Sequence, residues 1–243
     1  MSEGRIHIGT SGWHYQHWRG PFYPADLPPA KMLAYYAQRL DTVEVNNSFY
    51  RLPEKDTLVT WRDTTPADFL FAVKASRYIT HMKKLKDPEQ PVAAILERIH
   101  LLDHKLGPLL FQLPPRWRAN VPRLRAFLAA LPTGLRYTFE FRDPTWFVPE
   151  VYDLLAEHDA ALCIHDFRGH ESPKEVISDW VYIRLHGPEE GYQGRYTTQQ
   201  LAGWAGAIST WTRQGRDVYC YFNNDMAGYA VFEALELQAM LGR

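Results

Sequence analysis

Thr42-Val43-Glu44-Val45-Asn46 and Arg136-Tyr137-Thr138-Phe139-Glu140-Phe141-Arg142 carry the fold in their spacing. Side chains of a β-strand alternate between its two faces. Val43 and Val45 share one face, which leaves Thr42, Glu44 and Asn46 on the other. Likewise Tyr137, Phe139 and Phe141 oppose Thr138, Glu140 and Arg142. The pattern recurs where Val181, Ile183 and Leu185 leave Tyr182, Arg184 and His186, and where Val218, Cys220 and Phe222 leave Tyr219, Tyr221 and Asn223. Lys74 and Gln112 close two further strand candidates in the same way. A sheet closed into a barrel explains this parity, since one face meets helices and the other meets the axis. A charge deep in a filled barrel is very costly unless paired. These charges come late in their strands, at the C-terminal mouth where barrel enzymes place their sites.

Outward from these stretches, strand-like runs recur at 6–10, 42–46, 69–74, 108–113, 136–142, 161–166, 181–186 and 217–223. Helical spacing fills the gaps at 30–39, 54–63, 92–104, 122–131, 149–158, 198–213 and 228–241. The stretch 169–179 is too short for a full helix, so the crossover between the sixth and seventh strands reads as degenerate. Eight strands alternating with helices over 243 residues fit one closed TIM-type (β/α)8 barrel spanning 1–243, a fold of about 250 residues. A doubly wound open sheet lacks its Gly-x-Gly-x-x-Gly turn after the first strand. Closure predicts parallel pairing between 6–10 and 217–223.

Composition narrows the function. Lys plus Arg is 27 against 28 for Asp plus Glu, a net charge of −1, which argues against a general coat for duplex DNA. Two cysteines make no disulfide framework. The start Met1-Ser2-Glu3-Gly4-Arg5 has no apolar signal core, and no apolar run approaches the ~20 residues that span a bilayer. The expectation is a protein of the reducing cytoplasm with no membrane partner. Nothing here fixes an oligomeric state. Aromatics are 14% of the chain, enough to suggest a ligand face as well as a core.

Gly9-Thr10-Ser11-Gly12-Trp13-His14-Tyr15, with Trp18, Gly20 and Phe22-Tyr23-Pro24, opens a further pattern. It continues through Thr42-Val43-Glu44-Val45-Asn46, Phe49-Tyr50, Lys74, Ile79-Thr80-His81, Gly107-Pro108 and Gln112-Leu113-Pro114-Pro115. It ends in Glu140-Phe141-Arg142, Trp146-Phe147, Arg184-Leu185-His186-Gly187 and Tyr221-Phe222-Asn223-Asn224-Asp225. Across nearly its whole length the chain resembles domain-of-unknown-function family 72, also called YecE-like. The resemblance implies a TIM-barrel-like fold and no assigned reaction. One departure is Asp143, where the family pattern leads one to expect His after Glu-x-Arg. Any chemistry of that histidine is in doubt here, so function rests on the site.

Glu44 and Glu140 face each other across the mouth and are the first catalytic candidates. Paired carboxylates divide acid and base work, or hold a hard cation, unless Lys74, Arg142 and Arg184 simply neutralise them in a structural network. Lys74 reads as an anion clamp, a partner of Glu44 or a Schiff-base amine, and nothing in the sequence marks a desolvated amine. His186 and the pair His165-Asp166 offer further acid/base groups. With the glutamates they could ligate a divalent metal, but no tight His-x-x-x-His or His-x-Glu spacing supports one, so no cofactor is assigned. Arg184, His186 and Gly187, with the loop from Gly191 through Arg195 to the helix start at Thr198, suggest an anion pocket. Asn223 and Asn224 offer amide contacts there, though a strand–helix turn needs the same residues. Trp13, Tyr15 and Tyr50 would line an aromatic rim with Asn46, and Gln112 and Arg142 would complete the binding wall; the same rings could instead plug the barrel. The resulting expectation is an enzyme, hydrolase or isomerase in type. It would do acid/base, including hydrolytic, chemistry on a small anionic sugar-phosphate- or nucleotide-like substrate. The alternative is a non-catalytic module that stacks single-stranded nucleic acid or a modified nucleotide on the rim.

Overall fold

The computed structural model describes residues 2–167, 170–189 and 192–243. Its strands are β1 (Ile6–Ser11), β2 (Thr42–Val45), β3 (Leu70–Lys74), β4 (Leu106–Gln112), β5 (Tyr137–Glu140), β6 (Ala161–Phe167), β7 (His170–Glu171), β8 (Trp180–Leu185) and β9 (Asp217–Phe222). Hydrogen bonding runs β5-β4-β3-β2-β1-β9-β8-β6, and β5 also pairs with β6, so eight parallel strands close a barrel. The closing pair joins the chain ends: Ile6 lies opposite Val218 and Thr10 opposite Phe222, in parallel register. This is the predicted TIM-type (β/α)8 architecture.

Helices α1 (Met32–Tyr36), α2 (Lys55–Thr64), α3 (Glu89–Ile99), α4 (Val121–Ala129), α5 (Pro149–Glu157), α6 (Thr198–Arg213) and α7 (Tyr229–Met240) cover the outside. Helices α5 and α6 begin where the sequence offers a start, whereas α3 begins at Glu89, three residues before its predicted 92, and ends at Ile99 in a 3-10 turn. Pro149 stands at the first position of α5, and Thr197 and Gln200 form a reciprocal capping box on α6. The 30–39 stretch is shorter than its spacing suggests: a 3-10 turn at Pro29–Lys31 leads into a five-residue α1. Between β6 and β8 the described residues hold no helix, only β7 folded back antiparallel on Asp166–Phe167. The sixth crossover is therefore the degenerate one.

Two apolar regions follow from strand parity. Val43, Val45, Phe139, Phe141, Ile183 and Leu185 pack outward with the helices. A separate cluster of Ala72, Leu110, Ala161, Cys163, Trp180, Tyr182, Tyr219 and Tyr221 fills the axis. Its aromatic rings stack in layers, with Trp180 edge-on to Tyr219 and Tyr182 over Tyr221. The barrel is a packed core and not a channel, so chemistry is left to the layer above it.

Candidate functional site

Directly above those rings the inward residues of β2, β5 and β8 meet in one buried ion network. Arg184 donates from Nε to Glu44 Oε2 at 2.9 Å and from Nη2 to Glu44 Oε1 at 2.7 Å. Its Nη1 donates to Glu140 Oε2 at 2.6 Å. The hydroxyls of Ser11 and Tyr182 also donate to Glu44, at 2.6 and 2.7 Å. Glu44, Glu140 and Arg184 are wholly buried. Burial alone would raise the Glu140 carboxyl, but the Arg142 and Arg184 guanidiniums hold it well below the usual carboxylate range. A bidentate fork of this kind is strong only because both partners are present. The carboxylates do meet across the axis as strand parity predicts, yet they meet through an arginine that engages both.

A second tier sits above. Arg142 forms an ion pair with Glu140 Oε1 and lies over the Phe167 ring at 4.4 Å. Its Nη2 donates to His186 Nε2 at 2.9 Å. A guanidinium only donates, so Nε2 accepts and the ring proton sits on Nδ1; the Asn223 carboxamide group 3.0 Å away then accepts from it through its oxygen, with the amide turned from the orientation that places Nδ2 there. Burial, Arg142 and Arg184 push the His186 imidazole well below its ordinary pKa. His186 is thus a neutral wall residue, held at both nitrogens.

Lys74 differs from every other charge at the mouth. It is 8% exposed, and among the described residues its Nζ has no carboxylate within ion-pair distance. The expected pairing with Glu44 does not form, because Arg184 and two hydroxyls already fill that carboxylate. Instead Nζ lies 4.2 Å from the Phe49 ring centre. Burial and the Arg184 charge bring the ammonium pKa from 10.5 down to about 7. His81 meets the same Phe49 ring edge-on at 5.0 Å, with Nδ1 2.9 Å from the Thr80 hydroxyl. Burial, Lys74 and Arg77 lower His81 to about 4. Phe49, expected on the aromatic rim, and His81, which strand parity missed, stand in the short helical turns after β2 and β3, outside any strand pattern; the place of His81 after Lys74 in the family pattern was the available signal.

The remaining candidates scatter. Asn223 joins the His186 tier, but Asn224 is buried and donates to Gly194 O and Glu233 Oε2, away from it. Asp166 follows the inward His165 on β6, so it faces the opposite side and does not join the network. Arg195 pairs with Glu236 on α7 at 3.5 Å. The expected partnership of Arg184 and Arg195 around one anion is therefore corrected, because Arg184 is wholly buried with its nitrogens on the glutamates. Gly191 lies outside the described residues. Trp13, Tyr15 and Asn46 line a cavity of about 500 Å³ with Trp61 and Leu33. Trp13 is buried edge-on against Trp61, so this part of the rim is plug more than platform, whereas Tyr50 is 73% exposed. Gln112 is half-buried beside Glu140 in the β4–β5 register. Asp143, the departure from the family pattern, accepts from the Thr145 amide at 3.1 Å and caps the turn that seats Trp146. Among the described residues no three His, Cys, Asp or Glu side chains converge as a metal site. No helix there is long and apolar enough to cross a membrane.

Fold and site together define the class: a TIM-type barrel whose axis is capped by a glutamate–arginine–glutamate bridge, with Lys74 above it unpaired with any carboxylate among the described residues. The family model "Protein of unknown function DUF72" matches residues 7–243, and the chain belongs to that family. It is 26% identical to UPF0759 protein YunF of Bacillus subtilis, over 97% of this chain and 94% of that protein. It is 30% identical to UPF0759 protein YecE of Escherichia coli K12, over 58% of this chain and 50% of that one. Among solved structures, a DUF72 family protein of Thermotoga maritima superposes with a TM-score of 0.89 at 28% identity, covering 98% of this chain and all of that one. One from Enterococcus faecalis gives 0.81 at 22% identity over the full length of both, a likeness of fold alone.

Proposed function

We propose that the barrel mouth is the active site of an enzyme carrying out acid/base chemistry, hydrolysis included, on a small anionic substrate of the sugar-phosphate or nucleotide kind. The observation that carries this reading is the Lys74 amine, buried at the mouth without a carboxylate partner among the described residues. A group that titrates near 7 exchanges protons efficiently at neutral pH. Arg142 supplies the anion-binding face, because its Nη1 has no partner among the described residues. Glu44 and Glu140 serve by holding Arg184, and through it the tier above, in one geometry. Nothing observed favours the nucleic-acid-binding alternative, since Trp18, Phe22 and Tyr23 are buried against one another and Trp13 against Trp61 instead of presented for stacking.

The test is a turnover screen of phosphorylated sugars and nucleotides, followed by Lys74→Met and Arg142→Met. The expected result is a rate limb near pH 7 that disappears in Lys74→Met, with a raised KM in Arg142→Met. A substrate turned over equally well by Lys74→Met would overturn the reading.

A further inference from the structure

We propose that Lys74 is a carbonyl-capturing nucleophile, forming a Schiff base with the aldehyde or keto group of a small anionic substrate. This rests on the reading of the mouth as an anion-binding active site and names the substrate's reacting group.

Three geometric observations point to it. First, Nζ stands at the end of β3 above the filled axis and has no ion-pair partner among the described residues, whereas Arg142 and Arg184 are each tied to a glutamate. Burial at the mouth, with the Arg184 and Arg142 charges nearby and no carboxylate in ion-pair reach among the described residues, outweighs the cation–π contact with Phe49 and favours a free amine over an ammonium, and only the free amine attacks carbon. Second, His81 touches the Phe49 ring on which Nζ rests. Its Nδ1 is engaged by Thr80, and Nε2 has no partner among the described residues, so Nε2 is left for proton traffic. Third, the connection after β3 is unusual in its backbone. His81 lies in a π-helical turn, Tyr78–Met82, a feature that recurs at functional sites. Lys84, Leu85 and Asp87 then follow with φ of 48°, 63° and 46°, the left-handed region that non-glycine residues avoid. Strain of this kind persists where the surrounding structure holds it, and it concentrates at sites.

The step balances without oxidant or reductant. The Nζ lone pair forms a C–N bond as the carbonyl π pair moves to oxygen. The nitrogen gives up one proton, relayed by His81, which the oxygen takes to become a carbinolamine hydroxyl. That hydroxyl takes a second proton, supplied by solvent through His81, leaves as water, and the nitrogen lone pair closes the protonated imine. Arg142 holds the anionic end of the substrate meanwhile.

Pyridoxal 5′-phosphate, an anionic aldehyde, is the probe, trapped at pH 7 with sodium cyanoborohydride and mapped by peptide mass spectrometry. Lys74 is expected to carry the phosphopyridoxyl group well ahead of the other seven lysines and at least as fast as the chain's α-amino group, a class of amine whose ordinary pKa is about 8. Dihydroxyacetone phosphate should compete for Lys74 and leave surface labelling unchanged. Lys74→Met should lose that adduct alone, and His81→Gln should slow its formation several-fold without changing the melting temperature. Label on surface lysines with Lys74 unmodified overturns the Schiff base. Phosphate binding by calorimetry separates the two ideas. If it weakens in Arg142→Met while Lys74 stays unlabelled, the active-site reading stands and the Schiff base fails; if neither signal appears, both fail.

Discussion

At Glu44 a wholly buried carboxylate accepts from Ser11, Tyr182 and twice from Arg184. Glu44→Gln keeps the shape but leaves Arg184 short of countercharge, so a loss of about 3–5 kcal/mol is expected in chemical denaturation, as for other broken buried pairs. Glu140→Gln should behave alike, since Arg184 and Arg142 both lean on it. A near-neutral result for both would return the pair from scaffold to chemistry. Lys74 predicts the opposite sign. Its folded pKa of about 7 lies below its unfolded 10.5, so between those values the unfolded chain binds more protons and stability rises with pH. The buried amine therefore costs most below pH 7, and that cost fades as pH climbs through 10.5. Lys74→Met should stabilise the protein by roughly 2–4 kcal/mol at pH 7 and by under about 1 kcal/mol at pH 10. Paired thermal melts at the two pH values check the sign.

Elements were legible in the sequence wherever a period of two or 3.6 governed them. All eight barrel strands fall on their predicted runs, and the helix predicted at 198–213 is α6 itself. The inward charges were legible for the same reason, because parity aims Glu44, Lys74, Glu140 and Arg184 at the axis. Which charges pair was not, since pairing depends on side-chain reach across strands far apart in sequence. Loops carry no parity at all. Hence His81 was missed, Phe49 was read only as part of an aromatic rim, and Arg195 was expected at the mouth although it turns to Glu236. Local chemistry at element ends remains testable. Thr197 accepts from the Gln200 amide at 3.2 Å in the α6 capping box, so Thr197→Ala should cost about 1 kcal/mol in urea unfolding. Gly187 has φ of 96°, and a Cβ there would stand 2.2 Å from Gln193 O, so Gly187→Ala must displace the loop that follows β8. Changed proteolysis between 187 and 196, with the fold intact, is the expected readout.

For the molecule as a whole, closure is the organising fact. With β1 hydrogen-bonded to both β2 and β9, neither end of the chain leaves a free parallel edge. Amide exchange of Ile8, Thr10 and Cys220 should therefore be as slow as that of central β4 residues and require global unfolding. Fast exchange confined to β1 and β9 would mean the barrel opens at that seam. Closure also explains why one cation can stand apart: Arg184, reaching both glutamates across the axis, leaves no carboxylate for the lysine of β3. Competitive acylation of the eight lysines across pH 5–11, read residue by residue by mass spectrometry, tests that central claim most directly. Lys74 should reach half-maximal reactivity near pH 7, far below the ordinary lysine value of about 10.4. A Lys74 that titrates near 10 would contradict the account.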